Sequence, residues 1–115
     1  MSEDAAKLAL MLEHAHDAAA AVHGKDKKAL DNDLLLIHAL AQSLGAIGVK
    51  AEELSKPFKA QYQQTNWETM TSWRKFVLYK YAHDNEDVLW QAIEETLPSV
   101  ITELRALVPP DEDED

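Results

Sequence analysis

Three groups of side chains in this sequence have types that could do chemistry. His14, His16, Asp17 and His23 are metal-ligand types close together in the chain. Ligands on one helical face recur every three or four residues, which suits His14 with Asp17 but not His14 with His16. These residues therefore read as solvent-facing positions, with a loose metal site as the alternative. Trp67, Trp73 and Trp90 are large enough to stack on bases, yet tryptophans in so short a chain are needed for its core or an interface. The third group is a dense cationic and aromatic run holding Arg74, Lys75, Tyr79, Lys80, Tyr81 and His83. No cysteine occurs, so disulfides, thiolate metal sites and thiol nucleophiles are excluded. No glycine-rich phosphate loop and no Ser-His-Asp pattern is recognisable.

Helices must position these groups. The chain has 115 residues, 46% of them hydrophobic, enough for one modest core. Three glycines, four prolines and an abundance of Ala, Leu, Glu and Lys favour an all-α fold. Leu8, Leu12, Ala15, Ala19 and Val22 recur at helical spacing behind an acidic start at Ser2, Glu3 and Asp4, which predicts a first helix to about Gly24. A second stripe runs from Leu30 to Leu54 and carries Gly45 and Gly48 inside it. Each glycine costs about 1 kcal/mol of helix propensity, so another helix backbone is expected to approach there. Pro57 ends this helix or opens a short extra turn.

Trp67, Met70, Arg74, Val77, Leu78 and Tyr81 predict a third helix over 67–83, capped by Asn66. The fourth starts at Asp84 or Asn85, carries Leu89, Ile93, Leu97, Val100, Leu104 and Leu107, and is expected to kink at Pro98. An up-and-down four-helix bundle over 1–108 is the economical architecture, followed by a disordered acidic tail over 109–115. That tail holds five of the acidic residues behind the formal charge of −10. The body is still negative, which opposes broad nucleic-acid binding but leaves room for a local basic pocket. The N-terminus has no basic region followed by an apolar run, so a soluble, cytoplasmic protein is expected.

Ile47-Gly48, Leu54-Ser55, Trp67, Arg74, Trp90 and Leu97-Pro98 match, in register and without a gap, the pattern of the HEPN superfamily, and the chain resembles its HepT-like toxin branch in particular. The resemblance implies a HEPN-type bundle and a homodimer that cleaves RNA without metal or other cofactor. The family's functional core is R-N-x-x-x-H-x-Y. Here Arg74 keeps the arginine and Tyr81 the final tyrosine, while Lys75 replaces asparagine and Tyr79 replaces the catalytic histidine. The resemblance also implies a partner, the MNT nucleotidyltransferase antitoxin, which in the family can modify that last tyrosine, here Tyr81, with AMP.

Moving a proton from a 2′-hydroxyl needs a group titrating near neutrality, and histidine, at about 6.5, is such a group. Tyrosine, at about 10, is not. On a continuous helix Lys75 and His83 each lie one turn from Tyr79, the first to lower its pKa and the second as a displaced base. Where the family commonly has Arg and Glu on its second helix this chain has Gln42 and Gly45, and Val49 follows Ile-Gly in place of glutamate. An impaired or inactive toxin-like ribonuclease is the leading expectation. A non-catalytic subunit that binds or presents substrate to a nucleotidyltransferase is the alternative. A third reading takes His38-Ala39-Leu40, with Gly48 ten residues on, as similar to histidine phosphotransfer domains, although Ala41 and Gln42 replace the usual lysine and glycine.

Overall fold

The computed structural model describes residues 2–109, and every regular element among them is helical. The tail expected at 109–115 lies, from residue 110 onward, outside the described residues. Helix α1, Glu3–Ala21, begins where Ser2 Oγ accepts the Ala5 N–H at 3.1 Å, with Glu3 and Asp4 in its first turn. It buries Leu8, Met11, Ala15 and Ala18, so the core-facing stripe is rotated slightly from the expected one, and Leu12, Ala19 and Val22 pack at its edge.

The second helix starts later than its apolar stripe suggests. Lys27–Leu30 form a separate 3₁₀ turn that buries Leu30, and Asn32 then takes a left-handed φ of 61°. Such a residue cannot continue a right-handed helix. Helix α2, Leu34–Glu53, begins after Asp33, whose carboxylate accepts the Leu36 N–H at 3.0 Å. Its length and mean hydropathy would suffice for a membrane span, but half of it is buried in the fold, as befits a core helix. It packs against α1 and against residues 67–84. Helix α3, Lys56–Gln61, is the short extra turn, capped by Ser55 and carrying Pro57 in its first turn. Asp4 accepts both the Ser55 N–H at 3.0 Å and its hydroxyl at 2.6 Å, which ties α1 to α3. Those two hydrogen bonds hold the Asp4 carboxyl below the ordinary carboxylate range.

The expected third helix is broken. Helix α4, Trp67–Ser72, tightens into a 3₁₀ segment, Trp73–Val77, and Leu78 turns extended, with φ −88° and ψ 101°, before α5, Tyr79–Asp84. Residues three apart eclipse in a 3₁₀ turn, so Trp73 and Phe76 both enter the core and the chain lies close against α2. Asn66 supplies no side-chain cap; instead the Glu103 carboxylate accepts its N–H at 2.8 Å. Asn85 likewise does not cap α6, Glu86–Gln91, and its side-chain amide donates to the Tyr81 carbonyl at 2.9 Å. The disturbance expected at Pro98 takes the form of a π turn, Ala92–Thr96, ahead of α7, Leu97–Leu107. Proline has no N–H to give the preceding turn, and the wider turn routes the Leu97 N–H to the Ala92 carbonyl instead. Four helical runs, α1, α2, α4–α5 and α6–α7, thus enclose one core, with α3 as an appendage.

Candidate functional site

The segment carrying Arg74 lies directly on α2, and two glycines permit it. A Cβ on Gly48 would stand 2.5 Å from the Arg74 backbone nitrogen and 2.9 Å from both the Met70 carbonyl oxygen and the Trp73 carbonyl carbon. A Cβ on Gly45 would meet Val77 Cγ1 at 2.9 Å. The glycines are therefore where a second backbone approaches, as their helix cost suggests. One turn beyond Gly48, the Glu52 carboxylate accepts a hydrogen bond from the Arg74 guanidinium.

At the N-terminal end of α2 the His38 ring stacks on Tyr79, with centroids 4.5 Å apart and planes 20° from parallel. His83 meets His38 edge-on, its Nε2 2.9 Å from the Nε2 of His38 and the ring planes at 87°. Tyr79 and His83 sit one turn apart within α5, as their spacing predicts, and both face the same imidazole. Tyr79 is 41% exposed, whereas His38 and His83 are half-buried.

Lys75 does not share that face. The extended Leu78 interrupts the helix between them, and the Lys75 ammonium lies 5.5 Å from the Phe76 ring centroid and 5.7 Å from that of Tyr81. Tyr81 is half-buried and packs on Phe76 at 5.8 Å between centroids. Within one chain Arg74 and Tyr79 also have different neighbours. Glu52, which binds Arg74, and His38, which stacks on Tyr79, are fourteen residues apart on α2, about 21 Å along the axis at about 1.5 Å per residue. The arrangement can hold a phosphate at one end through Arg74 and move a proton through imidazole at the other.

The remaining sequence candidates have simpler surroundings. Trp67, Trp73 and Trp90 are all buried, so they build the core. Among the described residues no three His, Asp or Glu side chains converge as metal ligands, and His16 instead faces Arg105, with Nε2 3.2 Å from Nη2. His38, similar in its local pattern to a phosphotransfer site, is engaged by Tyr79 and His83. Sequence reasoning did not pair His38 with His83 or Arg74 with Glu52. No local pattern marks a contact across 45 residues, and the glycines were the one signal that 70–77 and α2 touch.

The chain matches the family described as Ribonuclease HepT-like over residues 11–107. A relative from Methanocaldococcus jannaschii, provisionally named an RNase, is 22% identical over 94 residues, spanning 82% of this chain and 86% of its own. No solved structure matches at a significant level.

Proposed function

The chain belongs to the HepT-like ribonuclease family, and on that premise we propose that it is the toxin-like member of a toxin–antitoxin pair, with RNA cleavage impaired at the motif's histidine position. The observation that carries this reading is Tyr79. It occupies the position of the proton-transferring histidine, and a phenol lacks the imidazole's second nitrogen, which lets histidine take a proton from one side and give one from the other. Arg74 retains the role of binding the phosphate and offsetting its charge in the transition state. Its guanidinium is at present committed to Glu52.

The same reading includes a homodimer in the cytoplasm and an MNT nucleotidyltransferase partner, with Tyr81 as the residue that receives AMP. Support for self-association comes from Leu34, Leu35, Val77, Leu78 and Tyr79, which leave large apolar surfaces exposed around the start of α2 and the break before α5. A second reading, the non-catalytic partner of a nucleotidyltransferase, draws support from the Arg74–Glu52 pair, which leaves the guanidinium occupied.

Cleavage of single-stranded RNA by the purified protein tests the choice. The expected result is slow cleavage that Arg74→Ala abolishes and that Tyr79→His with Lys75→Asn raises by about 100-fold, the scale of a restored general base. Cleavage that survives Arg74→Ala would remove the assigned role. Absence of cleavage in every variant, together with a stable complex with the nucleotidyltransferase, would favour the second reading.

A further inference from the structure

We propose that His38 and His83 together supply the proton transfer that Tyr79 does not, so that residual RNA cleavage runs through an imidazole pair drawn from α2 and α5. This rests on the ribonuclease reading above and assigns its base, which lies at the N-terminal end of α2, about 21 Å along that helix from the Glu52 that engages Arg74 of the same chain. Three observations carry it. The His38 ring is in van der Waals contact with the ring at the motif's histidine position, so an imidazole is returned in space to where the sequence has lost one. His83 Nε2 lies 2.9 Å from His38 Nε2, a distance at which one imidazole donates and the other accepts. Neither has another side-chain or backbone hydrogen-bond partner among the described residues, and both are half-buried rather than sealed.

The chemistry balances within the pair. As the 2′-oxygen bonds to phosphorus, its proton passes to one imidazole, and the hydrogen-bonded second imidazole shares the positive charge. When the bond from phosphorus to the 5′-oxygen breaks, the pair gives a proton to that oxygen. The products are a 2′,3′-cyclic phosphate and a free 5′-hydroxyl, and the pair is again neutral. No oxidant or reductant is consumed.

Charge around the pair sets the pace. A cavity of about 400 Å³ beside His83 is lined by Asp84, Glu86 and Asp87, against which stands Lys27, itself paired with Asp87. Lys80 on α5 is paired with Asp84. These carboxylates oppose the approach of phosphates. Cleavage is therefore expected to be slow and to need Arg74 to hold the RNA.

The test uses the full-length protein and a labelled single-stranded RNA, with cyclic phosphate ends as the product measured. His38→Ala and His83→Ala should each lower the rate about 100-fold, and added imidazole should restore part of it. His23→Ala, exposed after α1, should leave it unchanged. Thermal melting of each variant is measured alongside. Loss without imidazole rescue, accompanied by a lowered melting temperature, would mean a structural role only and overturn the proposal. Cleavage lost on Arg74→Ala but unaffected by either histidine change would overturn it while sparing the ribonuclease reading. Cleavage indifferent to Arg74 as well would overturn the proposal and also remove the role assigned to Arg74. No cleavage by the unaltered protein would overturn the imidazole proposal and leave the impaired toxin or the binding subunit.

Discussion

At Arg74, a cation suited to phosphate is occupied by a carboxylate from its own chain. Both side chains of the Arg74–Glu52 pair are about half exposed, so the pair contributes less than about 1 kcal/mol to folding while competing with any anion for the guanidinium. Glu52→Gln should accordingly change the free energy of urea unfolding by less than about 1 kcal/mol and raise RNA binding measured at fixed low salt. Unchanged binding would mean that Arg74 does not face the RNA. The pairing also shows why residue type alone is an incomplete guide to a site. Arg74 is the arginine that carries the resemblance, but whether its guanidinium is available depends on a residue twenty-two positions away.

Among the elements, α2 sets the arrangement. It presents His38 to Tyr79 and His83, Gly45 to Val77, Gly48 to the backbone around Arg74, and Glu52 to its guanidinium. Gly48→Ala isolates the packing contribution. Alanine gains about 1 kcal/mol of helix propensity, but its Cβ would stand 2.5 Å from a backbone nitrogen that cannot swing aside. The expected outcome is net destabilisation of about 1–3 kcal/mol in chemical unfolding, with RNA cleavage reduced because the Arg74 segment is displaced. Gly45→Ala should cost less, since its nearest obstacle is the Val77 side chain. A Gly48→Ala variant as stable as the parent would mean that 70–77 does not rest on α2 as described. The 3₁₀ segment and extended Leu78 belong to the same contact, because they carry Trp73 and Phe76 inward while leaving Val77, Leu78 and Tyr79 outside.

For the whole molecule, exposed apolar side chains gather at the start of α2 and at the break before α5, the elements that also carry His38, Tyr79 and His83. Leu35 is 84% exposed and Leu78 66%, so replacing them removes little from the monomer's own core. Leu35→Glu with Leu78→Glu should leave circular dichroism and melting nearly unchanged and shift sedimentation from dimer to monomer. A parent protein that sediments as a monomer would remove the proposed homodimer. Because the dimer proposal places Tyr79 at the same surface, RNA cleavage measured on the monomeric variant also reveals whether a second copy contributes to the site.

The all-α class, the four helical runs and most of the core were legible in the sequence, because a 3.6-residue apolar period reports which side chains can share a buried face. Leu40, Leu44 and Ile47 on α2, and Leu97, Val100 and Leu104 on α7, are buried as their spacing predicts. Gly45 and Gly48 were legible too, since a costly residue inside a helix implies a close neighbour. The motif around Arg74 was enough to suggest a family resemblance. The same periodicity could not show that 67–83 breaks into a 3₁₀ turn and an extended residue, because a stripe of apolar residues does not distinguish one continuous helix from two shorter ones packed on α2. It therefore placed Lys75 on the face of Tyr79, while the folded chain sets its ammonium beside Phe76 and Tyr81. His38 and His83 are 45 residues apart, and no local spacing rule connects them. The sequence by itself carries the resemblance that sets Tyr79 at the family's histidine position; only the tertiary structure decided that His38 stacks on Tyr79 and meets His83, because packing α5 on α2 brings together residues that the chain keeps far apart.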